Sequence, residues 1–132
     1  MTITSNTLMF ARITLALLWI LTAWASIFGD YKFGLDTLND AGISGRVADL
    51  LIYAGAGLDL MIGLWLLTGR LALWCYRVQI LTVVSYTLLL SWMAPQFWLH
   101  PFGPLSKNLP IIALLLICHQ VDIRHSRHDR IL

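Results

Sequence analysis

Four apolar runs, separated by polar punctuation, make up most of the chain, and their lengths predict four membrane-crossing helices. The expected spans are 8–28, 47–68, 71–94 and 105–121. Each is near the ~20 residues that a hydrocarbon core of about 30 Å requires, the last being the shortest. The first run has neither a basic region before it nor a small-residue cleavage site after it, so it reads as a retained helix and not a signal peptide. Within it Arg12, Ala16, Trp19, Ala23 and Ser26 fall on one helical stripe rich in small residues. That stripe has the character of a packing face, which would turn the guanidinium inward. The plainer alternative is an arginine snorkelling to the headgroups.

The second run contains LIYAGAGLDLMIGLWLLT, with a carboxylate, Asp59, near its middle. A charge at that depth costs about 2.5–3.5 kcal/mol on insertion scales, so it must face protein or water. Gly55, Asp59 and Gly63 recur every fourth residue, which puts the carboxylate on the small-residue side where another helix can approach closely. Gly69-Arg70 then leads at once into the third run, a link short enough to force an antiparallel hairpin.

The third run carries Cys75, Gln79, Thr82, Ser85 and Tyr86 at three- and four-residue spacings, a polar stripe expected to face the bundle interior. At 1.5 Å per residue, Asp59 and Gln79 lie roughly 14 Å from the hairpin turn, and Arg12 about 6 Å deep from the same side. This predicts an intramembrane polar cluster of Arg12, Asp59 and Gln79, with Tyr86 nearby. It is either a proton relay or polar ligand cavity, or a satisfied clamp that fixes helix register. Arg77 points elsewhere and is expected at the near interface.

Between the spans, segment 29–46 alternates apolar and polar residues and reads as a short amphipathic segment on the end of the bundle. After Ala94-Pro95, the stretch QFWLHPFGPLSKNLP reads as an ordered, non-helical entry. Pro110 fits cheaply only in a first helical turn, so regular helix is expected from near Asn108. Segment 122–132 reads as a basic, soluble tail that contacts lipid or a partner, its histidines accompanied by arginines that would repel a metal ion.

Composition agrees with this pattern. Of 132 residues 58% are hydrophobic and 12% charged, against about 25% charged in soluble domains. The expectation is a single all-α integral membrane domain over 1–132. A net charge of +2 offers no field for nucleic acid. Cys75 and Cys118 lie in apolar runs without CxxC spacing and read as buried thiols. Arg12, Arg70, Arg77, Arg124, Arg127 and Arg130 fall on the side of the termini, against Lys32, Arg46 and Lys107 on the other, so both termini are expected in the cytoplasm.

Arg12 early in the first span, the GLDLMIGLWLL segment and, most specifically, HPFGPLSKNLP before the last helix resemble the DoxX-like family, from about Ala11 to Leu116. The closest branch is one sometimes attached to nucleotide-sugar epimerase-like or short-chain dehydrogenase-like proteins. The resemblance implies a four-helix, multi-pass bundle of the bacterial cytoplasmic (inner) membrane. It also implies an association with quinone-linked oxidoreductase complexes, including thiosulfate oxidation, although many members have no assigned activity.

At the end opposite the termini Trp98, His100, Phe102, Lys107 and Asn108, with Tyr31 and Trp24, combine aromatic surface with hydrogen-bond donors. Such a set suits a quinone headgroup, with aromatic walls for the ring and donors for its carbonyl oxygens; an ordinary interfacial aromatic belt is the alternative. No nucleophile–base pair, phosphate loop, or haem or metal ligand set stands out, so no catalytic residue is assigned. The leading expectation is an accessory subunit that binds a quinone or other lipophilic ligand and supports an oxidoreductase partner. A small transporter-like bundle using an Arg/Asp cavity and a structural membrane anchor are the alternatives. Association of identical chains is compatible with either, through Trp65 and Trp74 if they face outward.

Overall fold

The computed structural model describes residues 3–101 and 103–131. All regular elements among them are helical: α1 (Ser5–Trp24) runs into a π-helical turn (Ala25–Gly29), followed by α2 (Tyr31–Asp40), α3 (Arg46–Thr68) and α4 (Ala72–Met93). A 3-10 turn (Pro95–Trp98) precedes α5 (Asn108–His128). Three helices are long and apolar enough to cross a membrane: Ser5–Gly29, Arg46–Thr68 and Ala72–Met93. α5 begins at the expected Asn108 but is apolar only as far as Cys118. It then stays helical through His128, so most of the expected soluble tail is the last turns of this helix.

Local chemistry explains the boundaries. The Thr4 hydroxyl accepts from the Thr7 amide at the start of α1 (3.3 Å), and Asp30 Oδ1 accepts from the Phe33 amide at the start of α2 (3.1 Å). Near the end of α1, Thr22 and Ser26 donate back to the carbonyls of Leu18 and Thr22, at 2.7 and 2.8 Å. Such back-bonding bends helices, and here it accompanies the change to π-helical winding. α3 ends on Gly69 at φ 66°, and Leu71 follows at φ 52°, a left-handed conformation that a branched side chain adopts only at a cost of about 1 kcal/mol or more. These two left-handed residues, on either side of Arg70, reverse the chain within the three-residue link 69–71. Trp65 closes over the turn by donating its indole N–H to the Arg70 carbonyl at 2.9 Å.

The hairpin α3–α4 was the expected pairing, yet the more extensive packing is α1 on α3 and α4 on α5. The reason is visible on the faces. Ala16, Trp19 and Ala23 of the α1 stripe are buried as expected, and they meet the Ala56, Ile62 and Gly63 side of α3. A methyl group on Gly63 would lie 2.8 Å from Ile20 Cγ1 and 3.0 Å from the Ala16 carbonyl oxygen, so the backbones touch there because no side chain intervenes. Tyr76, Gln79 and Val83 of α4 and Leu115 and Cys118 of α5 complete the core. Ser85, expected on the interior stripe, is exposed. Large apolar side chains such as Phe10, Leu21, Met61, Leu81 and Trp92 cover the outside, as a lipid-facing surface requires.

At the far end, a second small core of Ala94, Phe97 and Leu105 anchors the entry to α5. The expected amphipathic segment is α2, and its Phe33 stacks on Phe97 at 5.4 Å, so the two long connections do meet.

The α1–α3 contact yields a paired prediction. Gly63→Ala should lower stability by about 1–3 kcal/mol through overpacking. Gly57→Ala, with open space beyond it, should cost nothing. Chemical unfolding in detergent micelles distinguishes them, and equal stability of the two variants would contradict this packing.

Candidate functional site

Thr82 donates back to the Val78 carbonyl of its own helix (2.8 Å). Apart from it, the polar side chains inside the bundle form three separate contacts, all crossing the seam between the α1–α3 pair and the α4–α5 pair. Nearest the termini, the Arg12 guanidinium donates from Nε to Tyr76 Oη (2.7 Å) and from Nη2 to Asp122 Oδ2 (2.5 Å). The ion pair is largely enclosed, with side chains 27% and 12% exposed. In the middle, Trp19 Nε1 donates to Gln79 Oε1 (2.8 Å), and the Gln79 amide reaches Cys75 Sγ at 3.4 Å. Beyond these, Tyr86 donates its hydroxyl to Asp59 Oδ1 (3.2 Å). Among the described residues no buried side-chain nitrogen or oxygen lacks a partner.

The expected cluster of Arg12 with Asp59 and Gln79 is therefore not formed. Counting depth along the hairpin treats side chains as perpendicular to the helix, whereas they lean toward its N-terminus. In the antiparallel pair Asp59 leans away from the turn and Tyr86 toward it. They meet although Tyr86 stands further from the turn than Gln79, the residue at Asp59's own depth. Gly55 leaves room for the phenol, whose oxygen would lie 3.6 Å from a methyl group there. Trp19 takes the place beside Gln79.

Asp122 was missed because it sits among arginines and histidines that read as a tail. Carrying the helical phase of α5 onward from buried Leu115 and Cys118 brings Asp122 onto the same face. Tyr76 was missed beside the more polar Gln79, three residues away on that side of α4. Arg77 is exposed as expected, stacked over Trp74 at 5.1 Å and donating to His119 Nε2 at 3.4 Å.

Several of the residues expected to hold a quinone headgroup have partners within the protein. Trp98 Nε1 donates to Ser91 Oγ (2.9 Å) and Asn108 Nδ2 to Thr87 Oγ1 (2.9 Å), so both serve to clamp the far loop onto α4. His100 lies edge-on to Phe97 at 6.3 Å, and Lys107 is exposed. Phe102 lies outside the described residues. Tyr31 donates to the Asp49 carboxylate in the first turn of α3 and packs on Tyr53 at 5.8 Å. Trp24 borders a separate groove between α1 and α3.

That groove encloses about 270 Å³ and is lined by Ile20, Ala23, Trp24, Ile27 and Phe28 on one wall and Tyr53, Ala56, Gly57 and Leu60 on the other. Among the described residues that line it, Trp24 and Tyr53 are the ones whose side chains carry hydrogen-bond donors. The π-helical turn contributes Ile27 and Phe28. A second, polar cleft of about 470 Å³ lies at the end of the termini, bordered by Arg12, Arg77, Asp122, Ser126 and residues of the α3–α4 turn.

Two outcomes follow from these contacts. Trp19→Phe leaves the buried Gln79 oxygen unpaired and should cost about 1–3 kcal/mol, while adding Gln79→Met should recover most of that loss. Unfolding of both variants in detergent tests the bond, and a double variant as unstable as the sum of its parts would rule the bond out.

The Tyr31 hydroxyl is pushed up to about 12, chiefly because its proton bridges to Asp49. The folded value lies above the ordinary tyrosine value of about 10. The bond's contribution is therefore fully present below pH ~10 and lost as pH rises through about 12. The stability difference between wild type and Tyr31→Phe should shrink to nothing over that window, and a pH-independent difference would contradict it.

No curated protein and no solved structure matches the chain. The sequence profile of the DoxX-like family matches residues 16–116. The matched stretch holds the Trp19–Gln79 and Asp59–Tyr86 bonds but stops short of Arg12 and Asp122. With most of its length covered, this chain belongs to the DoxX-like family of membrane proteins.

Proposed function

We propose that the protein is an accessory membrane subunit that seats a lipophilic, quinone-class ligand in the α1–α3 groove and supports a partner oxidoreductase. In this reading α5 crosses as a fourth span of the bacterial inner membrane and both termini are cytoplasmic, in line with the arginines gathered at that end. The observation that carries the reading is the groove itself. Its walls are apolar, and among its lining residues Trp24 and Tyr53 carry donors of the kind that hold ring carbonyl oxygens. Its volume of about 270 Å³ suits a substituted ring whose isoprenoid tail continues into the bilayer. In this reading the ligand sits in the α1–α3 groove and not at the His100–Asn108 loop; of the residues expected from the sequence it keeps Trp24, and Tyr31 packs on Tyr53.

A structural membrane anchor is the second reading, favoured by the satisfied polar contacts along the seam.

Solvent extraction of the detergent-purified protein, followed by mass spectrometry, tests the choice. A quinone should co-purify in near-stoichiometric amount and fall at least about tenfold, or ~1.4 kcal/mol, in Gly57→Phe. Gly57 borders the groove with open space beyond it, so the added ring fills the groove without disturbing the bundle. Absence of quinone, or equal retention by the variant, would leave the anchor.

A further inference from the structure

We infer that the polar cleft at the end of the termini binds the phosphodiester headgroup of one anionic phospholipid. The cleft lies between the start of α1, the start of α4 and the end of α5, and encloses about 470 Å³. Its charged lining is Arg12, Arg77 and Asp122. Arg12 is already neutralised by Asp122 at 2.5 Å, which leaves a single positive charge on Arg77. One phosphodiester matches that charge.

Arg77 is held ready for such a partner. It makes no salt bridge among the described residues; its neighbours are the Trp74 ring and His119 Nε2, and the bond to His119 occupies only Nε. The terminal amino groups of the guanidinium keep their donors, and its planar fork matches phosphate oxygens in pairs. Ser126, exposed on the opposite wall, supplies a hydroxyl.

The surroundings select a lipid over a soluble anion. Trp74 is 59% exposed at the rim, the position favoured by tryptophan at a membrane interface. From it an exposed apolar stripe, Trp74, Leu81 and Leu88, runs along α4 at seven-residue spacing, forming a track for an acyl chain. A headgroup in the cleft and a tail on that track belong to one molecule. Basic pockets between membrane helices recognise anionic headgroups in this manner. The site is separate from the α1–α3 groove, so it stands whether or not a quinone binds there.

Native mass spectrometry of the protein in micelles, offered equimolar phosphatidylglycerol and phosphatidylcholine, provides the test. Wild type should retain phosphatidylglycerol roughly fivefold over phosphatidylcholine, the effect of one basic residue near an anionic headgroup. Arg77→Gln should bring the ratio to about one, Arg77→Lys should keep most of it, and Arg130→Gln in the last residues should leave it unchanged. Equal retention of the two lipids by wild type, or an unchanged ratio in Arg77→Gln, overturns the proposal. So does an equal loss in Arg130→Gln, which would mean diffuse attraction by the basic tail. Displacement of phosphatidylglycerol by inorganic phosphate, but not by chloride of matched ionic strength, would make the occupant a soluble anion and overturn the lipid assignment.

Discussion

A polar side chain inside a membrane bundle has no water to return to, so each must find a partner within the protein. Thr82 finds it in its own helix, at the Val78 carbonyl, and the larger groups find it on another. In this protein that requirement is met along one seam. The α1–α3 pair and the α4–α5 pair are each held by apolar contact, and between them lie Arg12 with Tyr76 and Asp122, Trp19 with Gln79, and Tyr86 with Asp59. Apolar packing between helices has little directional preference, because lipid tails compete with side chains on nearly equal terms. Directional bonds at three depths do discriminate. A slip of α4 by one residue would rotate its partner residues by about 100° and break all three contacts together.

The two closest approaches divide the work between small and polar residues. On α3, Gly63 lets α1 come within backbone contact, and a turn away Asp59 spends its hydrogen bond on α4. A larger residue at position 63 and an apolar one at 59 would each remove one side of that arrangement. The same helix therefore selects both of its neighbours. α2 and the 3-10 turn complete the far end through Phe33 against Phe97, while Trp98 and Asn108 tie the proline-rich entry to Ser91 and Thr87 of α4.

Much of the fold was legible because it depends on local signals. Run length and the Gly69-Arg70 break place α3 and α4 within a residue or two, and the alternation of 29–46 finds α2. Pro110 locates the start of α5 at Asn108. Partner identity was not legible, because it depends on which helices become neighbours and how each is rotated. Asp59 and Gln79 are buried and Arg12 is largely enclosed, and each bonds a different residue from the one depth alone would choose. Residues expected to face a ligand at the far end take partners within the protein for a related reason. Trp98 and Asn108 have donors of the right kind, but α4 offers Ser91 and Thr87 closer at hand. Composition also hid Asp122, whose helical phase marks it as interior while its sequence neighbours mark it as tail.

The Arg12–Asp122 pair joins the first helix to the last across 110 residues of chain. During synthesis the arginine is made long before its counter-charge, and in that interval Tyr76 of α4 is the one of its two partners that it can meet. Arrival of α5 supplies the carboxylate and ties the start of α1 to the end of α5. The Asp122 bond thus forms only once α5 has joined the bundle. Without Asp122 the Trp19–Gln79 and Tyr86–Asp59 contacts would keep both partners, while the guanidinium would lose its counter-charge and keep only Tyr76.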